Sequence, residues 1–179
     1  GRYYFFAPSY TPKCLSTHGP ISVNNAIGWS CNIFFYETGR LAGIDEIDKT
    51  AKALGLGEPT GIEIPEGAGQ RSNPEVKAER GAGEWYGADT IQTAIGQFDN
   101  RFTPLQLANY VATIANRGTR MKLTLVNEIV DFNSGEAIVP FEPKVAAKMD
   151  SYSSEAFEVT IKGMINATTG SSGGTFGGY

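Results

Sequence analysis

Ser30, Cys31 and Asn32 carry the chemistry that this sequence offers most openly, set in the stretch Trp29-Ser30-Cys31-Asn32-Ile33-Phe34-Phe35-Tyr36 between aromatic and aliphatic neighbours. A serine hydroxyl both donates and accepts, and an asparagine amide carries two donors and an acceptor carbonyl. The pair can therefore hold a neighbouring ammonium and orient a substrate amide. That is proton-relay equipment. Taken alone, the same stretch also reads as Ser and Asn capping a helix that runs on through Phe34 and Phe35.

Other reactive side chains give weaker patterns. Cys14, His18 and Cys31 could form a three-ligand site, and Cys14 with His18 a thiol–imidazole pair. Two cysteines lack the paired spacing of a zinc site and are too few for a disulfide framework, and no motif supports either arrangement. No metal ligand is assigned from spacing. His18 is the single histidine, and Gly28-Trp29-Ser30-Cys31-Asn32 fails the G-x-S-x-G elbow at its last position. A surface histidine before the His18-Gly19-Pro20 turn is expected. Gly55-x-Gly57 and Gly81-x-Gly83 match phosphate loops only in part, since neither follows a strand and opens a helix with the full spacing, and both are read as turns.

The elements that must position Ser30 and Asn32 follow from caps and periodicity. Residues 3–17 mix aromatics with Pro8 and Pro12 and read as extended chain or a loose hairpin. Ser22 suits the N-cap of a short helix with Asn25 at N3, and Gly28 interrupts it just before Ser30. A second helix over residues 33–41 stops near Gly43, and Asp45 caps a third with Ile47, Ala51 and Leu54 on one face. Residues of an i, i+2 pair do not share a face of a regular helix. Ser30 and Asn32 should therefore leave a turn between two helices, projecting the same way into a groove.

Downstream, residues 60–65 alternate like a short strand, and residues 66–89 are Gly, Glu and Pro rich and read as a long loop. Thr103-Pro104-Leu105-Gln106 is the strongest local signal, a capping box with Pro at N1. The helix it opens should carry a wide apolar face of Leu105, Leu107, Ala108, Val111, Ala112, Ile114 and Ala115, stopping at Gly118. Residues 120–132 and 136–141 read as a peripheral β-hairpin turning at Asn133-Ser134-Gly135. A last helix from Ser153 places Phe157, Ile161, Met164 and Ile165 on one side, before a Gly-, Ser- and Thr-rich stretch at residues 170–179.

At 179 residues the chain suits one domain that removes roughly 70% of its unfolded surface from water. Its 15 basic and 19 acidic side chains give a net charge of -4, which argues against nucleic acid as a partner. No apolar run approaches the roughly 20 residues of a membrane span, and the start of the chain is too short for a signal-peptide core. The chain as written is expected to be soluble.

Taken in order, Ser30-Cys31-Asn32-x-Phe34-Phe35-Tyr36-Glu37, Gly55-Leu56-Gly57-x-x-Thr60-Gly61-Ile62-x-Ile64-Pro65, Ile95-Gly96-Gln97 and Thr103-Pro104-Leu105-Gln106-Leu107-Ala108 resemble the transpeptidase domain of class B penicillin-binding proteins. The resemblance runs from about residue 19 to residue 174. Of the family's S-x-x-K, S-x-N and K-T-G motifs, only the middle one is present. In the family S-x-x-K precedes S-x-N, and K-T-G follows a Gly-rich approach much like residues 170–179. The chain therefore looks cut from inside the domain.

The resemblance implies an α/β (α+β) serine β-lactamase and penicillin-binding transpeptidase-like fold, incomplete, holding mostly its helical part with a peripheral hairpin. It implies a parent serine-type D,D-transpeptidase, anchored at the extracytoplasmic face of a bacterial membrane. That enzyme acylates a serine with the D-Ala-D-Ala end of a peptidoglycan stem peptide, passes the acyl group to an amine, and is trapped by β-lactams. Ser30 would then shuttle a proton between the motif lysine and the leaving nitrogen, while Asn32 binds that lysine and the substrate carbonyl. Gly96-Gln97 and residues 103–108 would be structural, and no metal or organic cofactor is implied. Rival readings are a β-lactamase or β-lactam sensor on the same fold, against which the residue 60–65 and 103–108 segments speak, and a non-catalytic cell-wall or divisome scaffold. A chain lacking its neighbouring motifs should be inactive alone and should self-associate through uncovered apolar surface and strand edges.

Overall fold

The structure, a computed structural model, describes residues 1–169, so the Gly-rich stretch at 170–179 lies outside the described residues. In chain order the elements are α1 (Val23–Gly28), α2 (Asn32–Ala53), α3 (Pro74–Glu79), α4 (Gly87–Ala94), α5 (Pro104–Ala115), β1 (Thr119–Met121), β2 (Ile129–Val130), β3 (Ala137–Val139), β4 (Val145–Lys148) and α6 (Ser154–Thr169). The strands form two antiparallel ribbons, β1 with β4 and β2 with β3. Thr119 stands opposite Lys148 and Arg120 opposite Ala147.

Ahead of α1 the chain forms the expected loose hairpin, bridged at Arg2 with Lys13 and at Phe6 with Tyr10. Its Tyr3 packs with Tyr36 of α2 and Ile91 of α4 in one small core. Ser22 occupies the N-cap of α1 in extended conformation, but its hydroxyl bonds Asn24 Oδ1 (2.7 Å) instead of a helix N–H. Gly43 breaks α2 with φ 78° and ψ 163°, a conformation that a residue without Cβ adopts at little cost. The two expected helices are thus segments of one, and the second resumes directly after Gly43 without an Asp45 cap.

Other expectations need correction. Residues 60–65 form no strand: the Glu66 carboxylate takes the N–H groups of Thr60 (2.9 Å) and Gly61 (2.7 Å) that a partner strand would have used. Residues 66–89 are not one loop, because Asn73 caps α3 by accepting from the Val76 N–H (2.9 Å), with Pro74 opening the helix, and α4 starts at Gly87. The strand expected over residues 120–132 is split into β1 and β2, and between them the Leu125 N–H is taken by Glu63 (2.9 Å). On α6 Phe157 is buried as expected, whereas Ile165 is exposed.

The correction at α5 is of the whole face. The capping box forms as read, with Thr103 Oγ1 accepting from the Gln106 N–H and Gln106 Oε1 from the Thr103 N–H, both at 3.2 Å. The buried side chains are Gln106 (1% exposed), Asn109 and Thr113, while Leu107 and Val111 stand 42% and 37% exposed. A polar face is required there because Gln106 Nε2 donates to the carbonyls of Glu58 (2.7 Å) and Ala68 (2.8 Å). Both carbonyls belong to the loop before α3, so this one side chain ties that loop to α5 at two points.

α1 is placed by α6. A Cβ on Gly163 would lie 2.6 Å from Ile27 Cβ, and one on Gly28 2.9 Å from Asn166 Cβ, so the two helices meet through glycine. Gly163→Ala is therefore expected to overpack this crossing and destabilise the protein by about 1–3 kcal/mol, read as a lower urea midpoint. A midpoint unchanged from the unaltered protein would show that the helices do not meet this closely.

Candidate functional site

Ser30 closes α1 in the hydrogen-bond pattern of a Schellman motif. The Cys31 N–H returns to the Ala26 carbonyl (2.9 Å) and the Ser30 N–H to the Ile27 carbonyl (3.1 Å), with Ser30 itself left-handed at φ 51°. Glycine is the usual residue at that position. A side chain held there costs roughly 1–2 kcal/mol. The Ser30 side chain is exposed, and among the described residues its hydroxyl has no hydrogen-bond partner. Asn32 opens α2, half-buried, its Nδ2 donating to the Lys13 carbonyl at 3.4 Å.

Both residues thus lie at a turn between two helices, the position that their spacing requires. A cavity of about 490 Å³ adjoins the turn, but it is lined from Cys31, Ile33, Phe34 and His18 and not from Ser30 or Asn32. The expected groove is not this cavity.

Sequence spacing gave no reason to join Cys14, His18 and Cys31, and the structure joins them. The hairpin brings Cys14 against the start of α2, and the three candidate ligand atoms lie within 4.8 Å of one another. Cys14 Sγ is 3.8 Å from His18 Nδ1, and the His18 ring lies 5.6 Å from the nearer Trp29 ring centroid. Burial pushes the Cys14 thiol up, but backbone hydrogen bonds from Ser16, Asn32 and Ile33 outweigh it and leave its pKa below the ordinary thiol value. Burial pushes the Cys31 thiol up, and the backbone bond from Phe34 only partly offsets this.

A family model described as "Penicillin binding protein transpeptidase domain" matches residues 5–179. Penicillin-binding protein 2A of Bacillus subtilis is 34% identical over 176 residues, which cover 87% of this chain and 23% of that protein. The peptidoglycan D,D-transpeptidase MrdA of Haemophilus influenzae is 32% identical over 158 residues, covering 87% of this chain and 24% of that protein. Among solved structures, penicillin-binding protein 2B of Streptococcus pneumoniae strain R6 superposes with a TM-score of 0.76 at 27% identity, over 93% of this chain and 29% of that one. The chain spans about a quarter or less of the curated relatives it matches. Its helices and small ribbons are part of an α/β transpeptidase fold.

The hairpin is tied to α2 through Glu37. Its carboxylate accepts from Arg40 Nε (2.9 Å) and Nη2 (2.7 Å), and from the Tyr3 hydroxyl. The Arg40 guanidinium first, and then Tyr3, hold the Glu37 carboxyl down from 4.5 to about 2. A carboxylate with a depressed folded-state pKa contributes fully above its unfolded value, and that contribution is lost as pH falls through the folded one. The tie should therefore hold above pH 4.5 and fade toward about pH 2. Carbon NMR should find Glu37 titrating near that lower value and moving back up in Arg40→Ala. Titration at the ordinary carboxylate pKa in the unaltered protein would refute the tie.

Proposed function

The chain belongs to the penicillin-binding protein transpeptidase domain family, and from that premise we propose that it is part of a peptidoglycan D,D-transpeptidase. The enzyme cross-links stem peptides through a serine acyl-enzyme, and β-lactams acylate the same serine. Neither Ser-x-x-Lys nor Lys-Thr-Gly occurs in the 179 residues. The nucleophile, its base and the oxyanion donors on the Lys-Thr-Gly strand therefore come from elsewhere in the protein. What these residues supply is the relay. Ser30 takes the proton from the lysine and delivers it to the leaving D-alanine nitrogen, while Asn32 binds that lysine and the donor's amide carbonyl. The exposed apolar stripe of α5, with Leu107 and Val111, is read as the face that meets the nucleophile helix.

One observation carries the assignment. Ser30 keeps an exposed hydroxyl, unpartnered among the described residues, at a left-handed position where glycine would be cheaper. Strain of that kind persists where the side chain is needed. The substrate lies outside the cytoplasm, so the protein works as an anchored enzyme at the extracytoplasmic face of a bacterial membrane. Among the described residues no helix is long and apolar enough to cross a membrane.

In the full-length protein, Ser30→Ala is expected to slow β-lactam acylation about 10²- to 10⁴-fold, the usual value of a positioned proton-transfer group. Ser30→Gly should slow it as much, yet leave stability unchanged or raised by up to about 1 kcal/mol, because glycine relieves the left-handed strain. Stopped-flow acylation with a chromogenic β-lactam, beside urea melts of both variants, reads the two effects separately. An unchanged acylation rate in either variant would overturn the relay role.

A further inference from the structure

A row of aromatic rings crosses the surface where the N-terminal hairpin meets α4, and none of them serves the relay. Phe5 (59% exposed) and Phe6 pack edge to face on the hairpin, with centroids 5.0 Å apart. The Phe6 ring fills the space that a Cβ on Gly87 would need, against the residue that follows the exposed Tyr86. Lys77 Nζ lies 5.1 Å from the Tyr86 centroid and 5.6 Å from that of Phe98, so these two rings flank it. Phe98 (42% exposed) then meets the half-buried Trp85 edge to face at 5.6 Å. Resting on the transpeptidase reading for the identity of the polymer, we infer that these five rings form a saccharide-binding strip for the glycan strand of peptidoglycan.

A sugar ring lays its C–H bonds on the electron-rich face of an aromatic ring and keeps its hydroxyls at the edge for polar neighbours. Such neighbours are present in the Arg80–Asp99 ion pair that follows Phe98 in the chain. The rings are also held before any ligand arrives: Trp85 Nε1 donates to Thr90 Oγ1 at 2.9 Å, and the Arg40 guanidinium stands 4.3 Å over the Phe5 centroid. Groups already fixed lose little freedom on binding. Both cations against the rings are neutralised, Arg40 by Glu37 and Lys77 by Asp89. The strip therefore suits a chain of uncharged N-acetyl sugars over nucleic acid or an anionic lipid surface. Phe98 is left-handed at φ 65°, a costly conformation for a bulky residue, and yet its ring is presented to solvent. Strain of that kind persists where the side chain is needed. The placement fits the substrate as well. Arg40 follows Asn32 by about two turns of α2, or about 12 Å. An extended peptide covers about 3.3–3.6 Å per residue, so a stem peptide of about four residues reaches from a sugar on Phe5 to the relay.

The test uses the full-length protein in nanodiscs, titrated by calorimetry with peptide-free glycan strands and with linear oligomers of N-acetylglucosamine. Both probes should bind. Trp85→Ala and Phe98→Gly should each weaken binding about three- to tenfold, the order expected of one aromatic contact. Phe98→Gly guards against a variant that merely misfolds, because glycine relieves the left-handed strain and should leave the urea midpoint unchanged or raised. Phe132→Ala, which removes a 97% exposed ring outside the strip, should bind as the unaltered protein does. No binding by the unaltered protein, or equal affinity in all three variants, would overturn the inference. So would quenching of Trp85 by brominated lipid, taken as the difference from Trp85→Phe, without any response to glycan, since the strip would then face the bilayer. β-Lactam acylation is read on the same unaltered sample. Acylation without glycan binding strikes the strip and leaves the transpeptidase reading standing, whereas glycan binding that the variants lose, without acylation, supports the strip and strikes that reading.

Discussion

The contact on which the Ser30 turn depends is the close crossing of α1 and α6. A six-residue helix is too short to persist by itself in water, so α1 takes its position from what it packs against. Gly28 and Gly163 remove the side chains that would hold the two axes apart, and Asn166 adds a long hydrogen bond to Asn25. α6 is seated in its turn by Phe157, whose ring fills the space a Cβ on Gly118 would need. The end of α5, the start of α6 and the end of α1 therefore form one chain of fitted surfaces leading to Ser30.

On its other side the corner is held by the hairpin and α4. Gly39 lets α2 approach Ala94 of α4 closely, and Tyr3, Tyr36 and Ile91 fill the space beside that crossing. Glu37 then joins Tyr3 to Arg40. This is a small core with an electrostatic rim, and it brings Cys14 up to the first turn of α2. The hairpin thus belongs to the site through packing, although none of its residues was assigned to the relay.

Much of the remaining interior is polar. Ser72, Thr93, Gln106, Asn109 and Thr113 are all buried. Thr93 bonds Ser72, Gln106 bonds two loop carbonyls, and Thr113 bonds the Asn109 carbonyl. A buried polar group costs little once it is satisfied and a great deal otherwise, and Gln106, in being satisfied, ties the loop over residues 58–69 to α5. The consequence is that α5 turns its hydrophobic stripe outward.

Local chemistry was legible in the sequence wherever one segment settles its own conformation. Thr103, Pro104 and Gln106 specify a helix start by bonds within four residues, Gly43 specifies a break by its backbone freedom, and the turn at 133–135 is closed by Asp131 beside it. The need for a turn between Ser30 and Asn32 was readable in the same way, from helical geometry alone. What failed on α5 and at Ile165 was the inference about which face is buried, since that depends on partners distant in the chain, whereas Phe157 is buried as read. Apolar residues on α5 lost the interior to Gln106 because two loop carbonyls needed a donor, and residues 60–65 lost their strand to the carboxylate of Glu66. Asn73-Pro74 was a readable cap that composition masked. The meeting of Cys14, His18 and Cys31 had no local signal at all, because only the docking of the hairpin against the α1–α2 corner brings them together. Sequence by itself determined the capping box at Thr103, the break at Gly43 and the family, all of which short-range bonds and residue order carry; tertiary structure decided burial and the cysteine–histidine cluster, because both are set by contacts between segments that no spacing connects.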